Sequence, residues 1–337
     1  MRVSDFTYFL PESAIAQEPI EPRHDARLLD TRDLSAHRFL DLPDLLEPGD
    51  LVVVNDTKVR SARLVGVKAG GGGAVELLVL RPLSDGHWEA LARPSRRLRP
   101  GVQIDFPGLT AIIVEGPEQG LVIVDLEAPD VEEAIARAGE IPLPPYFKGQ
   151  LSDPDRYQTM FARLPGSAAA PTAGLHFTDD VVAGLGRRGI DVAAVDLHVG
   201  IDTFRPMTVD LIEDHEMHTE FCSVPAATID AITATRDRGG AVVAIGTTVV
   251  RALESSAGAD GSLSPGTRET DLFLRPGSRF QVVDTLVTNF HVPGSTLMVL
   301  VAAFMGERWR DAYRHALDRG YRFLSFGDTM LATRHDR

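Results

Sequence analysis

Five segments of the sequence put histidine, threonine and small residues where a chain commonly turns from a strand into a helix. Ala169 to Asp180 reads AAPTAGLHFTDD, with His176 just ahead of a helix that Thr178 or Asp179 would cap. Gly174 and the alanines allow close backbone approach to a ligand, Thr172 adds a hydroxyl, and free amides at a helix start favour an anion. Leu197 to Phe204, LHVGIDTF, sets His198 and Asp202 directly after a strand, where open α/β sheets bind ligands. Asp214 to Glu220, DHEMHTE, is acidic and carries His215 and His218. Ala244 to Glu254, AIGTTVVRALE, is a strand, then Gly246-Thr247-Thr248, then a helix, a seat for a carboxylate or phosphate. Thr288 to Leu297, TNFHVPGSTL, repeats the pattern with Asn289 and His291. Histidine alone has an ordinary pKa near neutrality, so it serves as base or acid. Each segment by itself also reads as an ordered turn with a structural histidine. Several in one domain predict a composite, histidine-lined polar pocket.

Two motifs look chemical and are set aside. Gly184-Leu-Gly186-Arg-Arg-Gly189 fits G-x-G-x-x-G, but it closes a helix and precedes a strand. A dinucleotide fingerprint needs the reverse order, so Gly189 reads as a helix C-cap. His215-Glu216-Met217-His218 is one residue short of H-E-x-x-H. On a helix its histidines would still share a face. With Cys222 the single cysteine, neither a disulfide within the chain nor a multi-thiolate metal site is available, and no metal is expected.

The elements that must position these residues fall into two groups. A strand at 51–54 follows the turn-like Pro48-Gly49-Asp50. Short β-rich runs then recur at 62–67, 74–80, 87–91, 102–106, 110–114 and 121–126, separated by glycine, proline and aspartate. Six such runs predict a small closed barrel, since closure removes unpaired edges. Asp130 with Glu133 forms a capping-box pattern for a helix at 131–138 that stops at Gly139. Beyond it, helices are expected at 179–188, 226–238, 248–255 and 296–304. Strands are expected at 192–197, 241–245, 281–287 and 321–326. The expected fold is therefore an α/β main domain, residues 1–61 and 128–337, with an inserted six-stranded β-barrel domain at 62–127.

Composition fits a folded globular protein: 337 residues, 44% hydrophobic and 24% charged. The N-terminal stretch has early acids and no secretory pattern, and the longest apolar run, 297–305, is half a membrane span. A cytoplasmic protein without membrane attachment is expected. The formal net charge of −14 speaks against nucleic acid, yet phosphates respond to local patches. Arg93, Arg96, Arg97 and Arg99 form one within seven residues. A second group, Arg308, Arg310, Arg314, Arg319 and Arg322, is diluted by Glu307, Asp311 and Asp318 and reads as a solvated face.

At these same residues the chain resembles the S-adenosylmethionine:tRNA ribosyltransferase-isomerase family of queuosine biosynthesis, nearly end to end. The resemblance is carried by DFTYFLPESAIAQEP from Asp5, GDLVVVNDTKVRSARL from Gly49, EIPLPPY from Glu140 and YQTMFA from Tyr157. GSAAAPTAGLHFT from Gly166, DLHVG from Asp196, HEMHTE from His215 and the block from Ala244 through RALE continue it. TNFHVPGSTLMVLVAAF from Thr288 and YRFLSFGDTM from Tyr321 complete it. Two positions depart: Asp196 stands where the family usually has threonine, and Asp202 where it usually has glycine.

The resemblance implies an α/β domain carrying a small barrel. It also implies that S-adenosylmethionine is consumed as a co-substrate, not a catalytic cofactor. The ribosyl part passes to 7-aminomethyl-7-deazaguanine at the wobble position of a tRNA with a GUN anticodon, giving epoxyqueuosine and releasing adenine and methionine. On that reading His176, His198, His218 and His291 are the acid–base candidates. Thr172, Gly174, Asp202, Gly246, Thr247, Thr248, Arg251 and Asn289 are the substrate-binding candidates. Thr247 and Thr248 are placed to hold the methionine carboxylate; Arg251 is another such candidate, with a salt bridge to Glu254 as its competing role. Arg93, Arg96, Arg97 and Arg99 are the RNA contacts. A monomer is the default oligomeric state. A non-catalytic RNA-binding protein of the same fold, or a related transferase with another acceptor, are the alternatives.

Overall fold

The run LVVVN is apolar through four positions, which suits a strand buried on both faces. It forms β3 (Leu51–Asn55), with every residue buried. β3 lies between β12 (Asp191–Leu197) and β14 (Val242–Ile245), and β16 (Thr285–Asn289) follows on the far side of β14. These four strands run parallel, so their C-terminal ends share one edge. Antiparallel and edge strands extend the sheet to nine, in the order β15-β13-β12-β3-β14-β16-β17-β1-β2. Here β1 is Arg27–Asp30, β2 Ser35–Arg38, β13 Glu220–Val224, β15 Gly266–Thr270 and β17 Thr329–Thr333. The computed structural model describes residues 1–118, 120–149, 151, 153–200, 206–258 and 260–336.

Helices cover the sheet. α3 (Asp179–Arg187) turns Val181 and Leu185, one helical turn apart, into a core with Leu28, Phe39, Val52 and Val54. α1 (Leu42–Leu45) adds Leu42 to the same core. Gly189, at φ +69, ends α3 in the left-handed region, which confirms the C-cap reading of the glycine motif. α4 (Ala226–Asp237), α5 (Thr247–Ser255), α6 (Thr296–Met305) and α7 (Arg308–Asp318) complete this part. α6 has apolar residues on all sides and is buried from Met298 to Met305. No helix among the described residues is long and apolar enough to cross a membrane.

Two compact units divide the chain: Met1–Thr57 with Pro144–Leu164 and Ala170–Arg337, and Lys58–Leu143 with Pro165–Ala169. The short strands β4 (Thr57–Val59) and β11 (Leu164–Ser167) fall where the chain passes from one unit to the other. In the second unit the six expected strands form a closed antiparallel barrel. They are β5 (Arg63–Lys68), β6 (Ala74–Pro82), β7 (Trp88–Arg93), β8 (Gln103–Phe106), β9 (Leu109–Glu118) and β10 (Leu121–Glu127). Alternate residues fill the interior, as Val122, Val124 and Leu126 do along β10. The barrel is followed by α2 (Val131–Ala138), whose N-cap Asp130 accepts from the Glu133 amide at 2.9 Å. Gly139 stops it for a reason of space: a Cβ there would stand 1.8 Å from the Ser61 carbonyl oxygen.

Three sequence expectations are corrected. The strand expected at 281–287 begins at Thr285, because the amides of Gln281, Val282 and Val283 all donate to the Glu254 carboxylate at 2.8–3.0 Å. The strand expected at 321–326 is irregular: Leu324 has φ +69, and the amide of Arg322 donates to Asp328. The last strand is instead β17, antiparallel to β16 and parallel to β1. The His215–His218 segment lies on the non-helical approach to β13, so its histidines do not share a helix face.

Candidate active site

A small pocket of about 40 Å³, lined by apolar and polar side chains together, opens at the C-terminal ends of β14 and β16. Gly246 makes the turn out of β14 at φ +93, a conformation that favours glycine, and its amide donates to the Val287 carbonyl at 2.8 Å. α5 then starts with Thr247 and Thr248, which line the pocket, so the helix begins at its wall. The Thr248 hydroxyl is buried and has no hydrogen-bond partner among the described residues. Such an orphan costs stability unless something else fills its need.

Across the pocket, β16 delivers Thr288, Asn289 and His291. Nε2 of His291 sits 2.9 Å from the Thr288 hydroxyl. Burial alone drives the His291 pKa down to about 3, so the ring is neutral at physiological pH. Its backbone is clamped from behind: the Tyr8 hydroxyl donates to the His291 carbonyl at 2.5 Å, and the His291 amide donates to the Tyr313 hydroxyl at 3.1 Å. Asn289 is fully engaged. Its carbonyl accepts from Thr172 at 2.8 Å, and its amide group reaches His176 Nε2 and the Asp328 carbonyl, each at 3.4 Å.

The expected residues therefore separate. Thr172, Gly246, Thr247, Thr248, Asn289 and His291 line one pocket. His176 stands behind Asn289 and lines a smaller adjoining cavity with Arg23 and Arg156; Ser325 borders both. Burial, the largest influence, lowers His176 to about 4, against an opposing pull from Asp328. Gly174 is buried against Thr159, away from the pocket lining. His198 leaves β12 at the same sheet edge, partly exposed, with Nε2 3.1 Å from Asp196 and its ring against Phe221. His218 is exposed and apart from the lining. Asp202 lies outside the described residues.

Arg251 is a correction. It points from α5 to an ion pair with Glu220 on β13, and donates to the Leu272 carbonyl at 3.1 Å. Burial pushes it down to about 10. Glu254, its expected partner, holds the three amides at 281–283 instead.

A family model described as queuosine biosynthesis protein matches residues 3–332. The chain is 52% identical to the S-adenosylmethionine:tRNA ribosyltransferase-isomerase of Anaeromyxobacter sp. (strain Fw109-5), over the whole of both chains. The chain belongs to this family. The protein of that name from Moorella thermoacetica is 48% identical over 98% of this chain and 99% of its own. The crystal structure of S-adenosylmethionine tRNA ribosyltransferase from Thermotoga maritima matches with a TM-score of 0.55 and 36% identity, covering 97% of this chain and 99% of that one. Membership carries the enzyme class with it: this is a ribosyltransferase-isomerase.

In this family member the pocket also has residues that histidine and threonine patterns did not reveal. Tyr146 shares a 2.5 Å hydrogen bond with Ser325, and both line the pocket. They belong to the EIPLPPY and YRFLSFGDTM blocks, so the signal was present without a titratable marker. Asp328 is buried and binds the amides of Arg27 and Arg322 at 2.9 and 2.8 Å, tying β1 to the loop beside His176. No group of three or more histidines, cysteines or carboxylates among the described residues is placed to hold a metal. On the barrel, Arg93, Arg96, Arg97 and Arg99 are all exposed, and none pairs with a carboxylate among the described residues. Buried Leu98 anchors their loop.

Proposed function

We propose that the pocket takes S-adenosylmethionine and transfers its ribosyl part to the aminomethyl group of 7-aminomethyl-7-deazaguanine at the wobble position of a GUN-anticodon tRNA, giving epoxyqueuosine. The observation that carries this reading is the buried, unpartnered Thr248 hydroxyl at the start of α5, facing a neutral buried His291. A methionine carboxylate would satisfy that hydroxyl and the first amides of the helix. Thr247 adds a second hydroxyl on the same wall.

The sulfonium makes the C5′ hydrogens of the ribosyl group acidic, and a neutral imidazole is the right form of base. In the tautomer that serves as base, Nε2–H of His291 would donate to the Thr288 hydroxyl and leave the Nδ1 lone pair free. Proton removal at C5′ opens the ribose and releases adenine, which leaves as the neutral base once protonated. Opening breaks the C4′–O4′ bond, and loss of adenine from C1′ leaves O4′ as an aldehyde oxygen. The amine adds to C4′ and loses a proton to solvent, the C5′ carbanion so formed closes the carbocycle on C1′, and the C1′ alkoxide displaces methionine from C5′ to form the epoxide. His198, which reaches solvent and is oriented by Asp196, is the candidate proton donor to adenine. Thr172, Asn289 and His176 form the supporting wall.

The barrel, taken as an inserted domain at 62–127, supplies phosphate contacts through Arg93, Arg96, Arg97 and Arg99. One chain suffices for the pocket, so a monomer in the cytoplasm is the working form. The test incubates the purified protein and S-adenosylmethionine with tRNA carrying or lacking the aminomethyl base. Adenine, methionine and a ribosyl mass gain on the modified tRNA alone are expected. Methylated RNA overturns the reading, as does RNA binding without adenine release; mass gain on a different base identifies another acceptor.

A further inference from the structure

A groove of about 610 Å³ lies between the N-terminal segment and α7, and no step of the proposed reaction uses it. Its volume is within the range of sites that hold a nucleotide-sized group, roughly 300–1,000 Å³. Tyr8, Trp309, Tyr313 and Tyr321 underlie it, the last three buried, so that Phe9 is the aromatic face open to a ligand. Phe9, 83% exposed, stands at the rim, where an apolar ring gains nothing from water. Three guanidiniums, Arg310, Arg314 and Arg322, line the groove against one carboxylate, Asp318.

Those charges are differently held. Arg310 lies over the Trp309 ring at 4.5 Å and pairs with Glu307. The Arg322 guanidinium donates to the carbonyls of Glu18 and Phe326 and forms no ion pair with an acid among the described residues. Arg314 pairs with Asp311 at 2.8 Å, but both side chains are about two-thirds exposed. An exposed pair of that kind holds weakly and can exchange its partner for a phosphate. One exposed ring, Phe9, beside guanidiniums on an otherwise acidic protein matches the chemistry of an unstacked nucleotide, whose base stacks while its phosphate meets arginine.

We propose that this groove binds a nucleotide of the tRNA other than the one being modified. The proposal rests on tRNA being the substrate. It also connects the groove to the reaction pocket: Tyr8 and Tyr313, beneath it, are the two residues that clamp the His291 backbone. RNA seated above them braces the loop that carries the base.

The test uses the full chain with Phe9→Ala and Arg314→Ala, both at exposed side chains, and Arg137→Ala on the exposed face of α2 as a control. Initial rates are measured against modified tRNA and against S-adenosylmethionine at several salt concentrations. Phe9→Ala is expected to raise the KM for tRNA about tenfold. Arg314→Ala is expected to raise it severalfold and to flatten the salt dependence of tRNA binding by about one charge. A KM for tRNA no different from that of Arg137→Ala overturns the groove. So does an equal rise in the KM for S-adenosylmethionine, which would place a small nucleoside, not RNA, in it. An inactive wild type sinks the functional reading instead, while an active wild type with unmoved variants sinks the groove alone.

Discussion

His291 and His198 leave parallel strands of one sheet at the same edge, yet the protein treats them in opposite ways. His291 is enclosed, bonded to a neutral threonine hydroxyl, and kept in its neutral form by burial. His198 is partly open to solvent, with a buried carboxylate 3.1 Å from its ring. Desolvation favours the neutral form of His291, whereas His198 has both solvent and a carboxylate within reach. A reaction that removes a proton from carbon and delivers one to a leaving base needs both kinds of site. The sharpest way to break this division is His291→Ala. A loss of roughly 10²–10⁴ in kcat is expected if its imidazole is the base, with S-adenosylmethionine binding retained in equilibrium dialysis. Near-wild-type turnover would transfer the base role elsewhere.

The enclosed histidines should also declare themselves in stability. His176 and His291 are neutral in the folded protein down to about pH 4 and pH 3, whereas in the unfolded chain each protonates near 6.5. As pH falls below about 6.5 the unfolded state takes up protons that the folded state refuses, so stability declines until the folded values are reached. For His176 the loss approaches the order of 3 kcal/mol by pH 4. Urea unfolding of wild type and His176→Gln at pH 7 and pH 4.5 checks it. The variant should lose less on acidification, and parallel curves would show that His176 titrates normally.

A smaller effect is expected at the opposite wall. Thr248→Val removes the unpartnered hydroxyl while keeping the shape, so the folded protein should be no less stable. The KM for S-adenosylmethionine should rise about tenfold, the scale of one charge-assisted hydrogen bond. An analogue lacking the methionine carboxylate should not feel the change. Equal sensitivity of both compounds would remove the carboxylate from this end of α5.

The sequence made these walls legible because strand-to-helix turns advertise themselves through glycine, threonine and a following apolar period. The barrel was readable for a related reason: alternation and turn residues are local, and closure follows from the number of strands. What escaped was set by distant partners. Nothing near Arg251 announces Glu220, 31 positions earlier in the chain, and nothing near Gln281 shows that Glu254 will take its amide. The irregular stretch before β17 likewise owes its shape to Asp328, Ala14 and Phe290, which the period of YRFLSF does not encode. Tyr146 and Ser325 were hidden by chemistry, since neither titrates near neutrality.

The least disruptive test concerns the carboxylate beside His198. Asp196 is buried on β12, and one of its oxygens has no hydrogen-bond partner among the described residues. If its role is to orient the ring, Asp196→Asn should retain a hydrogen bond to His198 Nε2 and lower kcat only severalfold. His198→Ala should cost far more. The asparagine would then separate two ways of holding one imidazole, by a carboxylate or by stacking on Phe221 at 5.4 Å between ring centres. Unchanged kcat would assign the orientation to Phe221. A loss as deep as that of His198→Ala would mean that the carboxylate takes part in the proton transfer itself.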